Sequence, residues 1–248
     1  VSDGQLRWLL AQRPGALEAL LARSLGGAQS PFDWLARVVS ASAKRVLVVA
    51  CGSGGLVKRL QARGRIVVGL DWSESSLNAA RSGGSEVLVR ADANHLPFAD
   101  DVFDTVLTDV GLAVNENRDV MLREIARVLR VGGMFAGLTP SHRPLSAGDL
   151  KVVAPLTVLL RRMPHVPGES EFRARKLLEA AGLTKAEDSR ARFHFTVRDA
   201  DDAELLLAGL RAADDPSRAR KAVEYLTDAA RTQPVEFPLP FRRVLALK

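Results

Sequence analysis

From Arg45 onward, short β-rich apolar runs alternate with stretches of helical periodicity, and that alternation limits the possible folds more than any other feature of the chain. The runs are RVLVVA (45–50), RIVVGL (65–70), EVLVRA (86–91), FDTVLTD (103–109) and GMFAGLT (133–139). Helical stretches around 55–63, 74–82 and 117–130 separate them, the last placing Leu122, Ile125 and Leu129 on one face. Strands joined through helices run parallel, so the pattern predicts a doubly wound α/β core.

The flanking sequence adds helices. Leu17, Leu20, Leu21 and Leu25 recur at helical spacing within 5–26, with Pro14 suited to a first turn and Gly26 and Gly27 closing the segment. A second helix is predicted from Ser30-Pro31, turning Phe32, Trp34, Leu35, Val38 and Val39 inward. After the fifth run, residues 141–168 contain Pro144, Pro155, Pro164 and Pro167 around an apolar stretch, which reads as an inserted cap. A helix at 169–181 ending at Gly182, a strand near 190–197, two helices between 200 and 232 and a last strand at 241–247 complete the expectation.

At 248 residues and 47% apolar composition, one large domain with a substantial core is expected. It divides into N-terminal helices (1–43), a core (44–140), the cap (141–168) and a C-terminal part of the sheet (169–248) with a helical insert at 199–234. No stretch reaches the ~20 apolar residues of a membrane helix. Asp3, Arg7, Arg13, Glu18 and Arg23 interrupt any secretory signal, so a soluble, cytoplasmic protein is expected. Cys51 is the single cysteine, which excludes an internal disulfide, zinc sites built on paired cysteines and two-cysteine RNA cytosine chemistry; no metal cluster is visible.

The net charge of +6 and a sequence pI of about 10.0 raise a nucleic-acid partner as an alternative. The basic residues are scattered pairs (Arg161 and Arg162, Arg173 and Arg175, Arg218 and Arg220, Arg242 and Arg243), and aromatics are only 5%. That distribution favours a solvated arginine-rich surface over a base-stacking platform. Oligomeric state is not encoded in any recognisable pattern.

Three segments carry the chemistry. VLVVACGSGG (46–55) sets Gly52 and Gly54 directly after a buried strand and before a helix, where a backbone without Cβ atoms turns sharply and approaches a ligand. Asp71 ends the second run, nineteen residues beyond Gly52, a position from which a carboxylate accepts hydrogen bonds from both hydroxyls of a ribose. Asp92 follows the third run; it either accepts from the exocyclic amine of adenine, with the Ala93 N–H serving a ring nitrogen, or simply forms a turn. Nicotinamide dehydrogenases fit less well, because Val57 stands where their third Gly or Ala would be.

Together the glycine turn, Asp71, DANHLPFADDVFDTV (92–106) and LREIARVLRVGG (122–133) resemble successive signatures of the type 11 family of class I S-adenosylmethionine-dependent methyltransferases, over roughly residues 45–140. The resemblance implies a doubly wound, mostly parallel seven-stranded sheet with an antiparallel last strand, supplied by PFRRVLALK (240–248), plus the N-terminal and cap helices. It implies S-adenosylmethionine as cofactor, with Ala50, Cys51, Gly52, Ser53 and Gly54 beneath the methionine part, Asp71 on the ribose, Trp72 against adenine and Asp92 with Ala93 on its edge. Trp72 as ordinary core packing remains open, as does a purely structural Leu96. Two departures stand out: the family usually has an acid where this chain has Val48 and a glycine where it has Ala50.

Methyl transfer from a sulfonium is an in-line displacement in which holding donor and nucleophile together supplies much of the acceleration. A base is needed only for a protonated acceptor. His142, His95 and Asp109 are the candidates, and Asn115 accompanies Asp109 after the fourth run, where acceptors are met. TDVGL (108–112) lacks the Asn/Asp-Pro-Pro-aromatic signature of base N-methylation. The apolar, basic-ended KVVAPLTVLLRRM (151–163) suits the wall of a pocket for a small-molecule or lipid-precursor acceptor, or contact with a membrane surface. RNA methylation and a non-catalytic binding module are the alternatives.

Overall fold

The computed structural model describes residues 15–170, 172–211 and 215–248. The helical reading of residues 5–14, Pro14 included, lies outside them. Strands β1 (Arg45–Val49), β2 (Ile66–Asp71), β3 (Val87–Arg90), β4 (Phe103–Thr108), β5 (Leu129–Pro140), β6 (Thr184–Val197) and β7 (Val235–Leu247) form one sheet in the order β3-β2-β1-β4-β5-β7-β6. The pairings β1·β2, β1·β4, β2·β3 and β4·β5 are parallel, whereas β7 runs antiparallel to both β5 and β6. The expected mostly parallel sheet with an antiparallel last strand is therefore present.

Both faces of the sheet are covered, and β1 shows why its run is uninterrupted rather than alternating. Val46 and Val48 enter one hydrophobic cluster with Leu56, Leu77 and Phe193, while Leu47 and Val49 enter a second with Met121, Leu122 and Ile125. The helices between strands are α3 (Gly55–Leu60), α4 (Glu74–Ser82), the short α5 (Gly111–Val114) and α6 (Arg118–Val128). Leu129 is buried as expected, but it opens β5 instead of closing the helix, so the strand starts four residues before the predicted run.

The N-terminal helices are α1 (Ala16–Arg23) and α2 (Pro31–Ala36). Ser30 and Asp33 form a reciprocal capping box around Pro31 at the first helical position, which fixes where α2 starts. Leu20, Leu21, Phe32 and Leu35 are buried, but Leu25 is 51% exposed, because the chain leaves the helix at Ser24 and Leu25 instead pairs with His194.

C-terminal to β5 lie α7 (Ala147–Leu160), α8 (Ala174–Ala180), α9 (Ala200–Gly209) and α10 (Pro216–Thr232). The cap is helical through Pro155; Val153, Leu156 and Leu160 are buried, whereas Leu150 and Val158 face outward. Asp149 completes a capping box with Ser146 and also accepts from Arg192 at 2.7 Å, tying α7 to β6. Strands β6 and β7 are each six residues longer than predicted at their N-terminal ends, pairing from Thr184↔Leu247 to Val197↔Val235. Pro238 and Pro240 hide the extension in the sequence; this part of β7 lies beyond the last β5 pair, Pro140↔Phe241, so one side is an edge that tolerates missing N–H donors.

The Arg242–Arg243 pair is not a free basic patch. Arg242 binds Asp188 bidentately at 2.8 and 2.7 Å, and Arg243 pairs with Glu187 at 2.7 Å while stacking over Trp34. Arg242, with Lys185, holds Asp188 down at a pKa of about 2. No helix among the described residues is long and apolar enough to cross a membrane.

Candidate functional site

The C-terminal ends of β1, β2 and β4 converge on the glycine turn. Gly52 (φ 53°) and Gly54 (φ 82°) take the left-handed backbone that the turn requires, and so does Ala50 (φ 55°), which has a Cβ to accommodate. The approaches are close: a Cβ on Gly54 would fall 2.5 Å from Ser85 Oγ, and one on Gly52 would fall 1.8 Å from Glu18 Oε1. Cys51 is buried beneath the turn, with its N–H on Leu70 O at 2.9 Å; burial pushes its thiol well above the usual range, so it is no thiolate nucleophile.

Asp71 joins the turn to β2. Its Oδ2 accepts the Gly52 N–H at 2.9 Å and its Oδ1 the Ser73 N–H at 2.9 Å. It is buried, and desolvation raises its pKa against the lowering effect of those bonds. Ser73, not Asp71, caps α4, through Oγ on the Ser76 N–H. Trp72 follows at 38% exposure, its carbonyl held by Arg90 Nε at 3.2 Å.

After β3, Asp92 Oδ1 accepts the Asn94 N–H at 2.8 Å in a tight turn, leaving the side chain 61% exposed at the rim. Ala93 is partly buried against the second cluster, and Leu96 is buried within it. Leu96 and Phe98 are pinned by Arg127, which donates to Leu96 O, Phe98 O, Glu124 and Asp100 at 2.7–2.9 Å. This explains why DANHLPFADD and LREIARVLR occur together: the arginine on α6 organises the loop after β3.

At the end of β4, Asp109 is buried with Oδ1 on the Val110 N–H at 2.7 Å, and burial, reinforced by the nearby Glu18 and Asp71 carboxyls, pushes its pKa up to about 7. Thr108 Oγ1 next to it is buried without a hydrogen-bond partner. Asn115 does not face an open cleft; its Nδ2 binds Asn94 Oδ1 at 3.1 Å, bridging the loops after β3 and β4.

The histidine candidates separate. His95 is 84% exposed beside Asp92, away from any enclosed space. His142 follows β5, hydrogen-bonds Ser170 through Nε2 at 2.5 Å, and shares with His165, Leu145, Val153 and Leu239 the lining of a shallow cleft. The chain that follows this lining docks on the short helix after β4, where Glu169 N–H donates to Ala113 O at 2.8 Å and Gly168 packs on Ala113.

Sequence reasoning placed the strand-end residues and missed Glu18. It lies on α1, and no spacing rule connects it to the turn 35 residues on, where its Oε1 accepts the Ser53 N–H at 3.1 Å.

This strand order, with a glycine turn after β1 and an acid closing β2, defines the class I methyltransferase fold. A Bacillus halodurans C-125 protein solved as a methyltransferase candidate shares it, with a TM-score of 0.61 at 19% identity over 88% of this chain and 98% of that one. Residues 47–137 match the methyltransferase domain family of type 11, a likeness that implies S-adenosylmethionine as the cofactor. Among curated proteins, the demethylmenaquinone methyltransferase of Thermobifida fusca is 36% identical over 121 residues, covering 46% of this chain and 51% of the relative. The fatty-acid O-methyltransferase of Mycolicibacterium smegmatis is 42% identical over 98 residues, covering 37% of this chain and 35% of the relative. The chain thus spans about half or less of the length of the curated relatives it matches.

Proposed function

We propose that this protein transfers a methyl group from S-adenosylmethionine to a small-molecule or lipid-precursor acceptor. The observation that carries the reading is the bond between Asp71 Oδ2 and the Gly52 N–H, which ties a strand-end carboxylate to a Cβ-free turn within the stretch that matches a methyltransferase domain. The residues present fit that cofactor: the turn has no Cβ at Gly52 and Gly54, the buried acids Asp71 and Asp109 lie at the strand ends around it, and Thr108 Oγ1 is a buried polar atom without a partner beside the turn.

Gly52, Ser53 and Gly54, with Ala50 and Cys51 shaping the turn, would hold the amino-acid part; Asp71 would accept from the ribose hydroxyls, Trp72 would cover the adenine, and Asp92 and Ala93 would read its edge. Bound there, the cofactor supplies a methyl group on a sulfonium. The protein's part is to hold donor and acceptor in line and keep water out. The acceptor pocket is assigned to the cleft at the end of β5, whose apolar walls include the cap and whose polar groups are His142, paired with Ser170, and His165. For an acceptor with a proton to lose, His142 is the better placed base and His95 the worse. The quinone-precursor and fatty-acid substrates named for the relatives are of the hydrophobic class that such a cleft takes.

Isothermal calorimetry with S-adenosylmethionine and S-adenosylhomocysteine tests the foundation. Binding of both is expected, and Asp71→Ala should weaken it by ~1–3 kcal/mol through lost charge-assisted hydrogen bonds. Unchanged affinity in that variant removes the ribose assignment, and absence of binding by the intact protein removes the function. A labelled-methyl screen against extract fractions then identifies the acceptor.

A further inference from the structure

Helix α1 lies across the glycine turn on a rigid mounting. A Cβ on Gly209 would fall 2.7 Å from Leu20 Cδ2, so α9 approaches α1 at a distance only glycine permits, and Arg23 pairs with Asp202 on α9. This mounting presses Glu18 into the turn, with Oε1 on the Ser53 N–H and within 1.8 Å of where a Gly52 Cβ would stand. A side chain held this way is part of the recess, not a mobile surface group.

The charges around it do not balance. Asp71 from β2 and Asp109 from the β4 end are buried and Glu18 from α1 is partly buried, and desolvation and mutual repulsion raise the pKa of Glu18 and Asp109. Among the described residues their hydrogen bonds come from the backbone N–H groups of Ser53, Gly52, Ser73 and Val110, not from a cationic side chain. Among the described residues the basic group felt by Glu18 is Arg211, just after α9, itself desolvated, with its buried Nη1 lacking a hydrogen-bond partner. Cys51, the remaining titratable group here, is neutral. Nearby, Thr108 Oγ1 is fully buried and unpartnered. Among the described residues no three His, Cys, Asp or Glu side chains converge closely enough to hold a metal ion. Acids that surround a recess without converging on one point suit an organic cation with a hydrogen-bonding ammonium.

We propose that Glu18 is a cofactor-binding residue: its carboxylate, with Asp109 beside it, takes the α-ammonium of the donor's amino-acid part, and α1 is thereby an integral wall of the donor site. The proposal rests on the reading of the recess as an S-adenosylmethionine site. It also accounts for a turn in which Val48 contributes only apolar packing: the acid is delivered from a helix that precedes the sheet instead of from β1.

Two ligands separate this from a structural role. S-adenosylhomocysteine carries the ammonium, and 5′-methylthioadenosine keeps the nucleoside but lacks the amino acid. By calorimetry, Glu18→Gln should weaken S-adenosylhomocysteine about 10- to 100-fold, the range of a charged hydrogen bond, and leave 5′-methylthioadenosine within about twofold. Equal losses for both ligands, or none for either, would overturn the proposal. So would tighter binding by Glu18→Ala, which would make Glu18 a plug of the recess. A measurement on the unaltered protein guards against a variant that fails to fold. In buffers of different ionisation enthalpy near pH 6.5, S-adenosylhomocysteine should release protons on binding while 5′-methylthioadenosine releases fewer, and equal release refutes the assignment. If the unaltered protein binds neither ligand, the underlying reading fails with it; if it binds both and the variants match it, only the role of Glu18 fails.

Discussion

Asp109→Asn should make the protein more stable at neutral pH and flatten its stability–pH curve. In the folded state the carboxyl is pushed up to about 7 by burial, by Glu18 and by Asp71, whereas an unfolded aspartate titrates near ~3.9. Between those values the native state binds more protons than the unfolded state, so unfolding free energy falls as pH rises from ~4 and levels off above about 7. The full separation corresponds to on the order of 4 kcal/mol, a large share of the ~5–15 kcal/mol that holds a domain folded. Asparagine keeps the shape and the acceptor for the Val110 N–H, at 2.7 Å in the native residue, and cannot ionise. Because Glu18 and Asp71 share the repulsion, their own curves shift too, and the gain at pH 7.5 should be a few kcal/mol at most while the two proteins converge near pH 4. Urea unfolding from pH 4 to 8, followed by the fluorescence of Trp34 packed on Phe193, measures it. Parallel curves for the two proteins across that interval would refute the claim that Asp109 is held in an environment hostile to its charge.

Ala50→Gly should stabilise the protein by ~1 kcal/mol in the same urea assay. The left-handed φ of 55° costs an alanine ~1–2 kcal/mol, and the greater unfolded-state freedom of glycine returns part of it. A loss of stability would mean the Ala50 methyl, which packs where a Gly111 Cβ would stand, matters more than the strain. Arg127→Ala should cost ~2–4 kcal/mol by stripping Leu96 O, Phe98 O, Glu124 and Asp100 of a common donor. Hydrogen exchange should then rise first in residues 92–103, and uniform acceleration across the sheet would reject that local role.

The sheet was legible because its signals are local. Parallel strands buried on both faces must be nearly all apolar, and the glycine turn, Asp71 and Asp92 announce their positions through their spacing from those runs. The same locality set the limit on β6 and β7, whose extra length is stabilised by pairing with each other across some fifty residues and is disguised by Pro238 and Pro240. The candidate bases were equivalent in the sequence; only the tertiary structure put His142 on an apolar cleft and left His95 in solvent.

The sequence by itself determined the order of the core elements and the residues at the strand ends, since each follows from the period and punctuation of a short segment. Tertiary packing alone decided that Glu18 enters the turn and that three carboxyls share one poorly hydrated recess. No segment carries that information: a side chain's charge is written in the chain, but the groups that surround it and the water it loses are set by which helix crosses which strand end.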